Sequence, residues 1–188
     1  MPEVFSDTDK QSHDLFHSYC RFPGILFEGQ HEHEIVLLTL RAHPLTQIIW
    51  ITLSFFGFVL PLIIDVFLIG RASPSAIFFG NIFWWALVSS FAFYNLIRWV
   101  FNVGIVTNER VLDVDYVFIQ KEVSEAAAFD IADADAKTTG FFQDLFNFGD
   151  VFIQTAGTKS NIEYLHVPHP NEVVAIVSKV SHDSHGNN

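Results

Sequence analysis

The chain has 188 residues, of which half are hydrophobic, 21 are phenylalanine and only 16% carry a charge, against about 25% in an ordinary soluble domain. Net charge is −11 and Cys20 is the one cysteine. These values exclude a disordered chain, a disulfide scaffold, a cysteine-rich zinc site and the concentrated basic footprint that nucleic acid requires.

In chain order, residues 1–20 are acidic and polar and read as a flexible tail, with neither the basic start nor the apolar core of a cleavable signal. Residues 21–43 contain two strand-like runs, Ile25–Phe27 and Glu34–Arg41. The charge deficit then finds its address. Leu45–Ile69 and Ala76–Phe101 contain only Asp65 and Arg98 as charges, and each is long enough to cross a hydrocarbon core of about 30 Å as a helix. The connector Gly70–Ser75 is too short for anything but a tight turn, so residues 44–101 read as a transmembrane hairpin. Arg41, Arg98 and Arg110 flank the hairpin and Arg71 alone lies in its loop, which favours a multi-pass cell-membrane protein with both termini cytoplasmic. Asp65 is the acid at membrane depth; counting from the loop, it comes level with Asn81, and the two form a candidate intramembrane polar site. Pro61 is expected to kink the first helix.

After Phe101 the pattern changes to short alternating runs. Asn102–Thr107 and Val111–Ile119 read as strands joined by a turn, with Leu112, Val114, Tyr116 and Phe118 on one face and Asp113 and Asp115 on the other. Lys121–Phe129, Asp130–Lys137, Asp150–Thr155 and Asn161–Val167 are further strands, the last two joined across Ala156–Ser160. A helix led by Pro170 places Val173, Val174, Val177 and Val180 on one stripe, and residues 181–188 read as a second flexible tail.

The run Ile105-Val106-Thr107-Asn108-Glu109-Arg110-Val111, then Asp130-Ile131, Gly140, Phe146, Phe148-Gly149-Asp150-Val151 and Thr155-Ala156-Gly157 before the proline-led helix resembles the bacterial pleckstrin-homology-like domain of membrane proteins. Members of that family commonly carry a two-helix hairpin just before the domain. The resemblance spans roughly residues 34–178 and implies an α+β membrane protein: a helical hairpin plus a PH-like curved antiparallel sheet or barrel, residues 102–180, capped by a C-terminal helix, with residues 21–43 packing on it. It implies no catalytic role.

Four groups of residues bear on function. Thr107, Asn108, Glu109 and Arg110 read as a structural hairpin motif, with Glu109 and Arg110 as a salt-bridged turn. Gly149 and Asp150 read as a structural turn. Phe141, Phe142, Leu145 and Phe146 are a candidate interaction surface, although their spacing favours a helical turn that wraps the core. His31 and His33, joined by His166 and His169, are the best metal candidates, but no helical His–carboxylate motif supports them, and no metal or cofactor is expected. No nucleophile elbow, phosphate loop or paired-acid motif is present, so the chain reads as a non-enzyme. The expected function is a membrane-anchored binding, scaffolding or assembly module, with the bilayer and a protein partner or a second copy as its contacts. The alternatives are a transporter or channel subunit using Asp65, and a sensor of anionic lipid headgroups. The second is disfavoured because Arg110, Lys121 and Lys137 are scattered among thirteen acids after Phe101.

Overall fold

The computed structural model describes residues 17–24, 26–27, 29–117, 120–156 and 161–186. Most of the N-terminal tail, Ile25 of the first strand-like run, Phe118 and Ile119 at the end of the expected strand, and residues 157–160 lie outside them. The chain forms two compact units, residues 44–99 and the segments on either side of them.

In the first unit a 3₁₀ turn, Pro44–Gln47, leads into α1 (Ile48–Leu68), which Gly70–Ser73 connects to α2 (Pro74–Phe101). Both helices are long and apolar enough to cross a membrane by length and composition, and their leucines, isoleucines and phenylalanines face outward. Polar groups and close contacts hold the helices together. Pro61 lacks an N–H, so it leaves the carbonyl of Gly57, four residues back, without its helical donor. Trp84 of α2 supplies one: its Nε1–H donates to Gly57 O at 2.8 Å, and Trp85 Nε1–H reaches Phe58 O at 3.2 Å. Gly57 also admits Val88, whose methyls would stand 3.1 and 3.2 Å from a Cβ there. Nearer the loop, Asn81 Nδ2 donates to Asp65 Oδ2 at 2.6 Å.

The second unit is a pair of antiparallel sheets. One comprises β1 (Tyr19–Arg21), β2 (Val36–Leu40), β3 (Val103–Thr107), β4 (Arg110–Val117) and β5 (Gln120–Ala127), in that order; the other comprises β6 (Ile131–Lys137), β7 (Phe148–Thr155) and β8 (Ile162–Pro168). A short helix, α3 (Phe141–Leu145), links β6 to β7, and α4 (Pro170–Gly186) follows β8. The strands before the apolar helices therefore pair with those after them: Leu40 lies opposite Gly104 and Thr39 opposite Ile105. Between the sheets, Val106, Val111, Val151, Ile153, Val173 and Val177 are fully buried. Pro170 opens α4 where its missing N–H costs nothing, and Val173, Val177 and Val180 form its buried stripe.

Several expectations change. The sheet is not a closed barrel, because a 3₁₀ turn, Ala128–Asp130, takes the chain off β5 before β6 begins. The strand expected to reach Phe129 stops at Ala127 for the same reason. The N-terminal tail is shorter than 20 residues, since Tyr19 and Cys20 pair with Leu40 and Thr39. The C-terminal helix runs on to Gly186 rather than fraying at 181; Ser181 Oγ donates to Ile131 O at 3.1 Å and ties that turn to β6. Along β4 the alternation is present, but both faces are covered. Val111 points into the main core, whereas Leu112 joins Val36 and Ile105 in a smaller cluster on the other side. Asp113, which alternates with Val111, is consequently on the inner face.

Candidate functional site

The Thr107–Arg110 segment is the turn between β3 and β4, and each of its side chains secures the segment 29–35. Thr107 Oγ1 accepts the N–H groups of Glu109 and Arg110, at 3.2 and 3.0 Å, which closes the turn. Asn108 Oδ1 accepts Ile35 N–H at 2.7 Å, while its Nδ2 donates to His33 O at 3.3 Å. Glu109 Oε2 meets His31 Nδ1 at 2.7 Å. Arg110 turns to Glu34 and Glu125 rather than to its neighbour Glu109, so the expected bridge within the turn is replaced by two bridges out of it.

Glu34 is the centre of this arrangement. Its side chain is fully buried, and four donors face its two oxygens: Thr107 Oγ1 and Arg110 Nε at Oε1, His31 N and Arg110 Nη2 at Oε2, all between 2.8 and 3.0 Å. Burial alone would raise its pKa. The hydrogen bonds from Arg110, the His31 amide and Thr107, with the guanidinium charge, outweigh burial and hold the carboxyl below its ordinary value. Arg110 is equally committed: Nη1 bonds Glu125, Nη2 also bonds Gly29 O, and the guanidinium lies 5.7 Å from the centre of the Phe27 ring. Its pKa is raised, first by the hydrogen bond it donates to Glu34.

An open groove of about 970 Å³ runs past this node, with His31, Glu109, Glu125, Val123 and Phe129 among its lining. His31, Glu34 and Glu109 bring ligand atoms within 4.8 Å of one another. A carboxylate offers about four lone-pair sites, and the donors around Glu34 occupy them, so the donor set does not suit a metal ion. The other expected histidines lie elsewhere. His166 approaches Asp150 at 3.7 Å and His169 bonds Asn147.

Gly149 and Asp150 belong to β7, not to a turn. β8 carries one extra residue opposite Asp150, and His166 in that bulge adopts φ = 57°; Asp150 Oδ1 accepts its N–H at 2.8 Å and stabilises the bulge. Gly149 is required by space, because a Cβ there would stand 2.7 Å from Lys137 O.

The aromatic segment departs most from expectation. α3 does not wrap the core: Phe141, Phe142, Leu145 and Phe146 are 74%, 71%, 60% and 46% exposed. Helical spacing is present, but a helix of five residues offers too few turns to face the sheet, and Phe148 alone from this run is buried.

Asp113 is a group that periodicity did not single out. It sits opposite Gly104, whose missing side chain makes room for the Tyr164 ring. Burial, and then the charge of Asp115, push its pKa up to about 7 from 3.8. A carboxyl raised in the folded state binds a proton there that the unfolded chain releases. The contribution of Asp113 to stability is therefore greatest below the ordinary carboxylate range, falls as pH rises toward 7 and is level above it. Asp113→Asn is expected to raise the melting temperature at pH 8 by a few degrees and to leave it unchanged at pH 4, as thermal melts of the detergent-solubilised chain will show.

Comparison with known proteins adds the following. The family described as "Bacterial PH domain" matches residues 39–181. Among solved structures, the chain is similar to a DUF1696 family protein with a pleckstrin-homology domain from Shewanella loihica PV-4, with 20% identity, 44% of this chain and 68% of that chain covered, and a TM-score of 0.30. No curated protein matches.

Proposed function

The chain belongs to the bacterial PH domain family, and from that premise we propose that it is a non-catalytic binding module held at the cytoplasmic face of the cell membrane by its helical hairpin. The observation that carries this reading is the pairing of β2 with β3. Strands from both flanks of the apolar helices share one sheet, so helices that enter a bilayer must also return from it. The outward-facing apolar side chains of α1 and α2 support the same reading, since water-exposed surface of that extent is rare in soluble monomers. Lipid also explains why the orphaned Gly57 carbonyl has a donor from the partner helix, because an unsatisfied backbone group in hydrocarbon costs several kcal/mol.

The paired state of the charged groups favours binding over the alternatives. Arg110 has four of its five N–H groups engaged, so a lipid phosphate would have to displace a buried carboxylate to reach it. Asp65 is bonded to Asn81, and among the described residues it has no ion-pair partner. The scaffold reading expects Asp65→Leu to preserve association with partners in crosslinking; an ion pathway expects lost flux.

Topology is the direct test. Cysteines introduced at Ser73 in the loop and at Asp183 in α4, in a Cys20→Ala background, should react with an impermeant thiol reagent from opposite sides of sealed vesicles. Reaction of both from one side would overturn the hairpin reading. Cys20 itself is buried in β1 and reports neither side. Within the hairpin, Trp84→Phe removes the donor to Gly57 while keeping an aromatic side chain, and is expected to cost about 1–2 kcal/mol of helix association, read as a lower midpoint in detergent titration.

A further inference from the structure

We propose that α3 is a lipid-contact element, with Phe141, Phe142 and Leu145 seated in the interfacial layer of the bilayer that receives the hairpin. The inference rests on the membrane-anchored reading above and adds a second point of attachment to it.

Three observations converge. The first is exposure: Phe141, Phe142 and Leu145 are among the most open large apolar side chains in the domain, and the Phe141 and Phe142 rings meet edge to face at 6.0 Å. Their packing energy is therefore unspent within the fold. The second is place. His43 is the last residue of the domain before Pro44 opens the apolar helices. Its ring stacks on Phe148 with 4.9 Å between centroids, and its N–H donates to His166 O at 2.7 Å. Phe148 follows Phe146 by two residues, a span of at most about 7 Å. His169 N–H fixes the residue between them through Asn147 O at 2.9 Å. The loop that carries α3 is thus rooted on the residue where the chain leaves the domain for its apolar segment.

The third is charge. From Thr138 to Gly149 the one charged residue is Asp144, while the chain after Phe101 carries thirteen acids and five bases. An acidic domain is repelled by anionic headgroups, so any membrane contact has to be made by a neutral, apolar patch; α3 is such a patch. Aromatic and leucine side chains without cations suit the headgroup–acyl boundary, and the contact will be insensitive to salt because it does not depend on ion pairing. A protein groove would accept the same rings, but the position beside His43 favours lipid.

The experiment uses the full chain, with Cys20→Ala, reconstituted in phosphatidylcholine vesicles containing lipid brominated near the top of its acyl chains. A bimane label is placed on a cysteine at one of three positions: Phe142→Cys in α3, Leu87→Cys in the middle of α2, or Asp183→Cys in the last turns of α4. The label at 142 should emit at shorter wavelength than the label at 183, lose most of its intensity to brominated lipid, and resist aqueous iodide at both low and high salt. Iodide access at 142 equal to that at 183 would overturn the proposal, because α3 would then face water. Protection from both quenchers would also overturn it, in favour of a protein contact such as a second copy. The label at 87 separates the two readings: if lipid brominated near the ends of its acyl chains, used in a parallel set of vesicles, fails to quench it, the hairpin is not inserted and the anchor reading falls together with this one. Quenching at 87 without quenching at 142 rejects the α3 contact alone.

Discussion

Glu34→Ala should destabilise the domain by about 3–5 kcal/mol, the range found when one member of a buried ion pair is removed. The loss has little to do with the Coulomb attraction as such. Arg110 is itself largely covered, and without Glu34 its Nε and one Nη2 hydrogen lose their acceptors while the guanidinium remains held by Gly29 and Glu125. The His31 amide loses its acceptor as well. Glu34→Gln keeps the shape but places an amide NH₂ against a guanidinium donor, so it should recover only part of the stability. Adding Arg110→Met to Glu34→Ala removes the stranded charge, and the double variant should be less damaged than the two single losses added together. Acid provides a second signature. Because the folded carboxyl titrates below its ordinary value, its contribution is complete above the unfolded pKa of about 4.5 and is lost as pH falls through the depressed folded value. Melts of the wild type should therefore weaken in that acid window, and the Glu34→Ala variant should lack that component.

Gly104→Ala should be nearly as disruptive. A Cβ at this position would stand 2.5, 2.8 and 3.0 Å from Cε1, Cδ1 and Cζ of Tyr164, closer than carbon atoms can approach. The ring has nowhere to retreat: Tyr164 is buried, and its hydroxyl donates to Leu112 O at 2.7 Å across the sheet interface. Either that hydrogen bond breaks inside the core or β3 moves away from β8. Overpacking of this kind costs about 1–3 kcal/mol or more, and an abandoned buried hydroxyl adds to it. In a Tyr164→Leu background the same Gly104→Ala change should cost much less, because the clashing ring is gone. Comparison of the two melting shifts checks the assignment; equal shifts in both backgrounds would reject it.

Much of the architecture is visible in residue patterns because it rests on local chemistry. Long apolar runs show themselves by length, α4 by Pro170 and its valine stripe, and the turn at Thr107–Arg110 by residues that bond their own backbone. What escapes a linear reading depends on partners distant in the chain. Glu34 follows the polar run Gln30–His33 at the head of a strand-like stretch, where an acid looks solvent-facing, and its partner Arg110 comes 76 residues later. Alternation puts Asp113 on the face opposite Leu112, and it cannot show that β4 is covered on both faces. The segment at Phe141–Phe146 shows the limit of periodicity, since spacing identifies a helix but not the side that the sheet occupies. Pro61 with Trp84 was legible in principle: a proline inside an apolar helix leaves one carbonyl four residues back, and an indole far from either end of the next helix is a donor suited to it.

The pairing of β2 with β3 also sets an order of events during synthesis. Residues 36–40 leave the ribosome as a strand with an unfilled edge, and their neighbour at 103–107 follows only after about 60 more residues. Until then the early segment has no sheet to join. Closing that gap as a slack loop would be entropically costly, but two antiparallel helices that turn back at Gly70–Ser73 bring its ends together as they form. Assembly of the hairpin therefore becomes the step that licenses the sheet, and expression from residue 102 onward alone would leave β3 with a bare edge where β2 belongs.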